Sequence, residues 1–361
     1  MSWPTWLPLR ETLRPLSPYG APQVPAQAAL NTNENPYSPS PALQKAITDA
    51  VAKVAADLNR YPDRDATVLR TKLANYINEL SSTKFSAENV WAANGSNEII
   101  QSIFLAFAGG PVLGFTPSYS MHPLIAKVTG SVWIDGKRNA DFSLNTSDAI
   151  SEIQKNKPTL TFITTPNNPT GGAVTIDEIQ KLADACAEVG GLLVVDEAYA
   201  EFSQEKSAVT LIANNPHVIV IRTMSKAFAF AGARVGYLVS DVAVKDAMMI
   251  VRLPYHLSAL TQAAAQVAID HRAELLAGVS YLIESRAIVM QALHDMGLTT
   301  IPSSANFVLF TGFKQEAPQL WAALLEKGVL IRDVGLSGYL RVTIGNEAEN
   351  TLFISALKEL I

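Results

Sequence analysis

The chain has 361 residues, 48% of them hydrophobic, enough for a large core and, by length, for two structural units. Lys and Arg number 28 against 33 Asp and Glu, a net charge of −5 with no basic run, which argues against nucleic acid as a partner. No apolar run reaches the ~18 residues of a membrane span, the stretch MSWPTWLPLRETLRPLSP lacks the apolar segment of a secretory signal, and the single cysteine, Cys186, has no partner for an internal disulfide, so a cytoplasmic location is expected.

Residues 1–40 are rich in Pro, Asn and Ser and read as an arm without regular structure. Ser40 before Pro41 predicts a capped helix, with Leu43, Ile47, Val51, Val54 and Leu58 on one buried face. Arg60-Tyr61-Pro62-Asp63 reads as a turn, and Val68, Leu69, Leu73, Tyr76 and Ile77 predict a second amphipathic helix. From residue 88 the pattern is strand, loop, helix, repeated. Its apolar runs are 90–92, 112–115, 160–163, 192–195 and 218–221. Such runs alternating with helices predict an α/β fold, a mostly parallel sheet covered by helices, with ligands at the carboxyl ends of the strands. Cys186 lies in a predicted helix over 176–188 and is expected to pack in the core. Past Leu253 a long helical stretch, about 258–296, leads to strands at 307–310, 329–332 and 339–344, a smaller α+β unit. The expected division is an arm at 1–40, a large unit at 41–254 and a small unit at 255–361.

Polar clusters follow the strands. Lys226, just past the run 218–221 and among small and apolar residues, sits where an ammonium is poorly solvated, which lowers its pKa and frees an amine for Schiff-base chemistry. Thr223, Ser225 and Arg234 are candidates for holding a phosphate beside it. Gly95-Ser96-Asn97 opens a helix after a strand, and its free N–H groups suit an anion, although an ordinary strand-to-helix turn reads the same way. Asp196 ends the run 192–195, and a carboxylate buried there needs a cationic partner. Helix capping is the plainer reading. No His or Cys stands at metal-ligand spacing from it, so no metal site is expected. Tyr119 follows the run 112–115, where an aromatic suits stacking on a ring, or plain core packing. Asn168 sits in a Pro/Gly turn. Arg332 and Arg341 lie in strands, where arginine is usually solvated, though its fork matches carboxylate and phosphate.

The segment Ser225-Lys226-x-Phe228-x-x-Ala231-Gly232-x-Arg234-x-Gly236-Tyr237 resembles the lysine segment of fold-type I pyridoxal-phosphate (PLP) aminotransferases, and the wording SKAFAFAGARVGY is closest to the histidinol-phosphate aminotransferase group. The likeness extends from about Leu13 to Leu357 through the ordered series Gly95, Asn168, Asp196, Tyr199, Lys226, Arg234 and Arg341. It implies that Lys226 holds PLP as a Schiff base and then acts as the general base. Asp196 would keep the ring nitrogen protonated, and Asn168 and Tyr199 would bond the ring oxygen. Gly95, Ser96, Asn97, Thr223, Ser225 and Arg234 would hold the phosphate, and Tyr119 would stack on the ring. Tyr61 would reach the cofactor phosphate of the neighbouring subunit in a homodimer with shared active sites. Arg341 would bind a substrate carboxylate, Arg332 a substrate phosphate, and Tyr19 and Asn33 would close over the substrate. His122 stands where family members often carry tyrosine, which leaves that contact open. The implied reaction is transamination of L-histidinol phosphate with 2-oxoglutarate in histidine biosynthesis. An aromatic-amino-acid aminotransferase, a phosphothreonine decarboxylase and a PLP-binding regulator without transaminase activity are the alternatives. The last usually carries an N-terminal DNA-binding unit, for which the 30–40 residues before the first predicted helix are too few.

Overall fold

The computed structural model describes residues 3–361, so Met1 and Ser2 of the expected arm lie outside the described residues. The arm has more regular structure than its composition implied. Glu11–Leu13 forms a 3-10 turn, and Ala28–Ala29 forms a short strand, β1, paired in parallel with Val329–Leu330. That strand exists because a distant edge accepts it, which no local signal announces. Arg10 donates to the carbonyl of Val128, so the arm also touches the larger sheet's helices.

Helix α1 (Pro41–Ala55) starts as expected, with the Ser40 hydroxyl accepting from the Leu43 N–H at 3.2 Å. Its expected buried face is a correction. Only Leu43 is buried, Ile47, Val51 and Val54 are half-buried, and Leu58 lies beyond the helix, 53% exposed. In α2 (Thr67–Ser81), Leu69, Leu73, Tyr76 and Ile77 are buried while Val68 falls off that stripe and is exposed.

The main sheet has seven strands: β2 (Val90–Ala93), β3 (Val112–Thr116), β4 (Trp133–Lys137), β5 (Leu160–Thr164), β6 (Leu192–Asp196), β7 (Val218–Thr223) and β8 (Gly236–Val239). Their order is β2-β8-β7-β6-β5-β3-β4, and only β8 runs antiparallel to its neighbours. Two of these strands were not expected. β4 is an edge strand interrupted by Asp135 and Gly136, and β8, with its short buried run Tyr237-Leu238-Val239, begins inside the lysine segment. Alternate residues of one strand enter two different cores: Val218 and Val220 of β7 pack on one face, Ile219 and Ile221 on the other. Burial on both faces is why these strands read as unbroken apolar runs. Each fully buried Val, Ile or Leu contributes about 1.5–3 kcal/mol. Helices α3 (Ser96–Phe107), α4 (Met121–Thr129) and α7 (Val242–Val251) supply one cover, and α5 (Thr146–Asn156) and α6 (Ile176–Glu188) join α2 in the other. Cys186 is buried on α6, and burial pushes its thiol up to about 11.

The expected long helix is two, α8 (Ala259–Asp270) and α9 (Arg272–Asp295), with α8 packed on α1 and α2. A second, antiparallel sheet is formed by β9 (Thr299–Thr300), β10 (Phe307–Thr311), β12 (Arg332–Asp333) and β13 (Leu340–Thr343), in the order β12-β13-β10-β9. The expected strand over 329–332 splits because β11 (Val329–Leu330) pairs with the arm while β12 pairs with β13. Helices α10 (Ala317–Glu326) and α11 (Glu347–Leu360) complete this part. Among the described residues no helix is long and apolar enough to cross a membrane.

Candidate active site

A cavity of about 600 Å³ opens at the carboxyl ends of β3, β5, β6 and β7 and is roofed by the arm and the second sheet. Of the residues singled out from sequence, it is lined by Tyr19, Asn33, Ser96, Asn97, Tyr119, Asn168, Asp196, Tyr199, Thr223, Ser225, Lys226, Arg234, Arg332 and Arg341. Gly95 and Tyr61 do not line it.

Lys226 lies in the turn just past β7, after Met224 and Ser225. Its amine donates to the Thr32 carbonyl at 2.8 Å. Burial, with Arg341 and Arg234 nearby and Glu34 opposing them, lowers its pKa to about 8. About a tenth is therefore the uncharged nucleophile at pH 7, far more than for an ordinary lysine.

Asp196 ends β6 and is 2% exposed. One carboxylate oxygen accepts from the Ala198 N–H at 3.2 Å, and the other lies 3.2 Å from His122 Nε2. His122 is itself buried, at the start of α4, its ring 4.8 Å from that of Phe162 and edge-on to Tyr119. The contact that sequence left open is thus a hydrogen bond to Asp196. No local signal pointed to it, because Asp196 lies 74 residues further along the chain. The neighbouring Glu197 is neither a cap nor a ligand. It pairs with buried Arg222 at 2.7 Å and accepts from Ser207 and the Ala208 N–H, and removing either partner would strand a buried charge at about 3–5 kcal/mol. Among the described residues no group of His, Cys, Asp and Glu is placed to hold a metal.

Tyr199 is buried, and burial raises its phenol pKa, offset in part by Arg341 and by a hydrogen bond from Asn33. Its oxygen accepts from Asn33 Nδ2 at 2.9 Å and faces Asn168 Nδ2 at 3.5 Å. Arg341, unremarkable as a strand arginine, is 6% exposed. It donates to Asn168 Oδ1 at 2.5 Å and to the Asn31 carbonyl at 2.8 Å, and its buried Nε has no partner. Burial lowers its pKa to about 10.

The phosphate candidates meet at one end of the cavity. No side chain caps α3, which leaves the first-turn N–H groups at Ser96 and Asn97 to other acceptors. Gly95 has φ +82°, and a Cβ there would stand 2.7 Å from Arg234 Nη2. A Cβ at Gly236 would meet the backbone of Gly95 and Ser96 at 2.5 Å. Both glycines let Arg234 and the α3 N-terminus converge. With the hydroxyls of Thr223 and Ser225, hydrogen-bonded to each other at 2.9 Å, this is a donor set suited to a phosphate monoester. Tyr119 lines the adjacent wall, its hydroxyl donating to Asn97 Oδ1 at 3.1 Å. Phosphate donors, an amine, a buried carboxylate and two ring-oxygen donors together fit PLP. Tyr61 stands apart, 79% exposed and stacked on Tyr255 with ring centroids 4.3 Å apart.

A profile for aminotransferases of class I and II matches residues 25–357. The chain is 53% identical to the histidinol-phosphate aminotransferase of Mycolicibacterium vanbaalenii over 355 residues, covering 97% of this chain and 95% of that one. It is 52% identical to that of Mycolicibacterium smegmatis over 358 residues, covering 98% and 93%. A crystal structure of histidinol-phosphate aminotransferase from Sinorhizobium meliloti in complex with pyridoxal-5'-phosphate shares the fold, with a TM-score of 0.85 at 24% identity over 98% of this chain and 97% of the other. By the extent of these matches the chain belongs to the family of class I and II aminotransferases.

Proposed function

We propose that this protein is a PLP-dependent enzyme that transfers the amino group of L-histidinol phosphate to 2-oxoglutarate, giving imidazole-acetol phosphate and L-glutamate in histidine biosynthesis. The observation that carries the reading is the Lys226 amine, with its pKa lowered to about 8, in a cavity it shares with Asp196, Tyr199 and Asn168. The names of relatives at 53% and 52% identity support the substrate. PLP supplies an aldehyde to join that amine and an electron-poor ring to take up the electron pair left when a substrate Cα–H bond breaks.

The chain's own residues do the rest. Lys226 would take the proton from the substrate carbon as general base and, as general acid, deliver it to the carbon that was the cofactor's aldehyde. Asp196, oriented by His122, keeps a proton on the ring nitrogen. Tyr199 and Asn168 donate to the ring oxygen. Ser96, Asn97, Thr223, Ser225 and Arg234 hold the cofactor phosphate, with Gly95 permitting their approach, and Tyr119 covers the ring. Arg341 takes the carboxylate of 2-oxoglutarate, using a fork whose Nε is unpaired. Arg332 and Tyr19, at the mouth, take the substrate phosphate, and Asn33 lies at the roof. The enzyme works as a cytoplasmic homodimer in which exposed Tyr61 reaches the cofactor phosphate of the other subunit.

Steady-state kinetics with both substrates test the cycle: parallel double-reciprocal lines are expected, and intersecting lines would contradict it. A panel of amine donors with 2-oxoglutarate tests the substrate. Higher kcat/KM for histidinol phosphate than for phenylalanine is expected, and the reverse would make this an aromatic-amino-acid aminotransferase. Sedimentation of the wild-type and Tyr61→Ala proteins, with PLP affinity of each, tests the shared site.

A further inference from the structure

Asn33 was expected to close over the substrate. Its surroundings assign it different work. It is 1% exposed, and its backbone is left-handed, with φ +56°, a region that Asn tolerates better than most residues. Its N–H donates to Thr343 Oγ1 at 3.0 Å, and its carbonyl accepts from Asn306 Nδ2 at 3.1 Å. The Thr343 hydroxyl, having accepted from that N–H, donates its one proton to Asn33 Oδ1 at 3.0 Å. The amide is therefore oriented from behind, and Nδ2 faces Tyr199. Asn168 is oriented the same way. Arg341 has only donors, so the Asn168 oxygen faces it and Nδ2 faces Tyr199. The Tyr199 oxygen thus meets two N–H donors, the nearer being Asn33, and its own proton is left for an acceptor in the cavity.

We propose that Asn33 and Thr343 are a positioning pair that aims the hydroxyl proton of Tyr199 into the cavity, toward the oxygen of a bound aromatic cofactor. The pair acts through Tyr199. The assignment rests on the PLP reading above. It adds that the second sheet, through Thr343 on β13, sets the hydrogen-bond polarity of a residue at the end of β6.

The test is an absorbance titration, against pH, of the substrate-free holoenzyme, following the band of PLP linked to Lys226. In Asn33→Asp a carboxylate accepts the Tyr199 proton, the ring oxygen loses its donor, and the linkage nitrogen keeps its proton to higher pH, a midpoint shift of about +1 unit. Thr343→Val frees the Asn33 amide without adding charge and shifts the midpoint the same way, by less. Thr343→Ser keeps the hydroxyl and restores the wild-type midpoint. An unmoved midpoint in Thr343→Val, or a rise in KM for the amine donor with no change in titration in Asn33→Asp, would overturn the pair. Should Asn33→Asp not fold, the two Thr343 variants decide alone. A wild-type protein that takes up PLP without developing the band would sink the cofactor reading itself, a result distinct from an unmoved midpoint.

Discussion

On the sheet side of the cavity, Asp196 and Thr223 end β6 and β7, which are buried on both faces, and Lys226 lies just beyond β7. On the arm side, Thr32 and Asn33 belong to a stretch with neither helix nor strand, held by Arg341 and Thr343 of β13 and by Asn306, the residue before β10. The sheet side presents the reactive groups on rigid strand ends. The arm side supplies acceptors and donors, the Thr32 carbonyl and the Asn33 amide, that orient those groups. Chemistry and alignment are thus separated in sequence by well over a hundred residues and joined only in space.

If that division is right, changes on the sheet side abolish turnover and changes behind or above it degrade it in steps. Lys226→Ala removes the amine proposed to bind PLP and to move the proton, and turnover should fall about 10⁴-fold or more, read in a single-turnover assay. Asp196→Asn keeps the shape and removes the charge proposed to hold a proton on the ring nitrogen. A loss of about 10³-fold in kcat is expected, with weaker PLP retention on dialysis. The apoprotein should take up PLP at a rate that follows the free Lys226 amine. Below a pKa of about 8 the group is an ammonium and unreactive, so uptake slows about tenfold per pH unit and levels off above it. A flat profile from pH 6 to 9 would mean the lysine is not the attacking group. Arg341→Ala should cost about 30-fold in kcat/KM for 2-oxoglutarate, mostly in KM, since a buried bidentate donor is lost. The smallest effect is His122→Phe, which keeps the ring packing and removes one hydrogen bond to Asp196. About a tenfold loss in kcat with little change in KM is expected.

Much of the sheet side was legible residue by residue. A lysine, a carboxylate and a Gly-led helix start each stand just past an apolar run, and strand ends are where such sheets bind ligands. The second sheet was legible as strands but not as function, because Arg341 carries no local mark that separates a buried fork from a solvated one. Asn33 was visible as a site residue, but its partners Thr343 and Asn306 were not. Asn306 lies in no motif, Thr343 stands in the Arg341 stretch without a mark of its own, and side-chain amides orient through contacts that sequence does not encode locally. The buried face expected of α1 failed for a related reason. Periodicity reports a stripe, whereas burial depends on what covers it.

By itself, then, the order of residues determined the alternation of strands and helices, the amine and carboxylate at their ends, and through them the family. Hydrophobic periodicity and glycine placement act over a few residues and need no fold to be read. Only the tertiary structure decided that Ala28–Ala29 finds an edge at Val329–Leu330, that His122 turns to Asp196, and that Thr343 steers Asn33 onto Tyr199. Those are polar contacts between distant segments, strong only where water is excluded, and exclusion is a property of the packed whole.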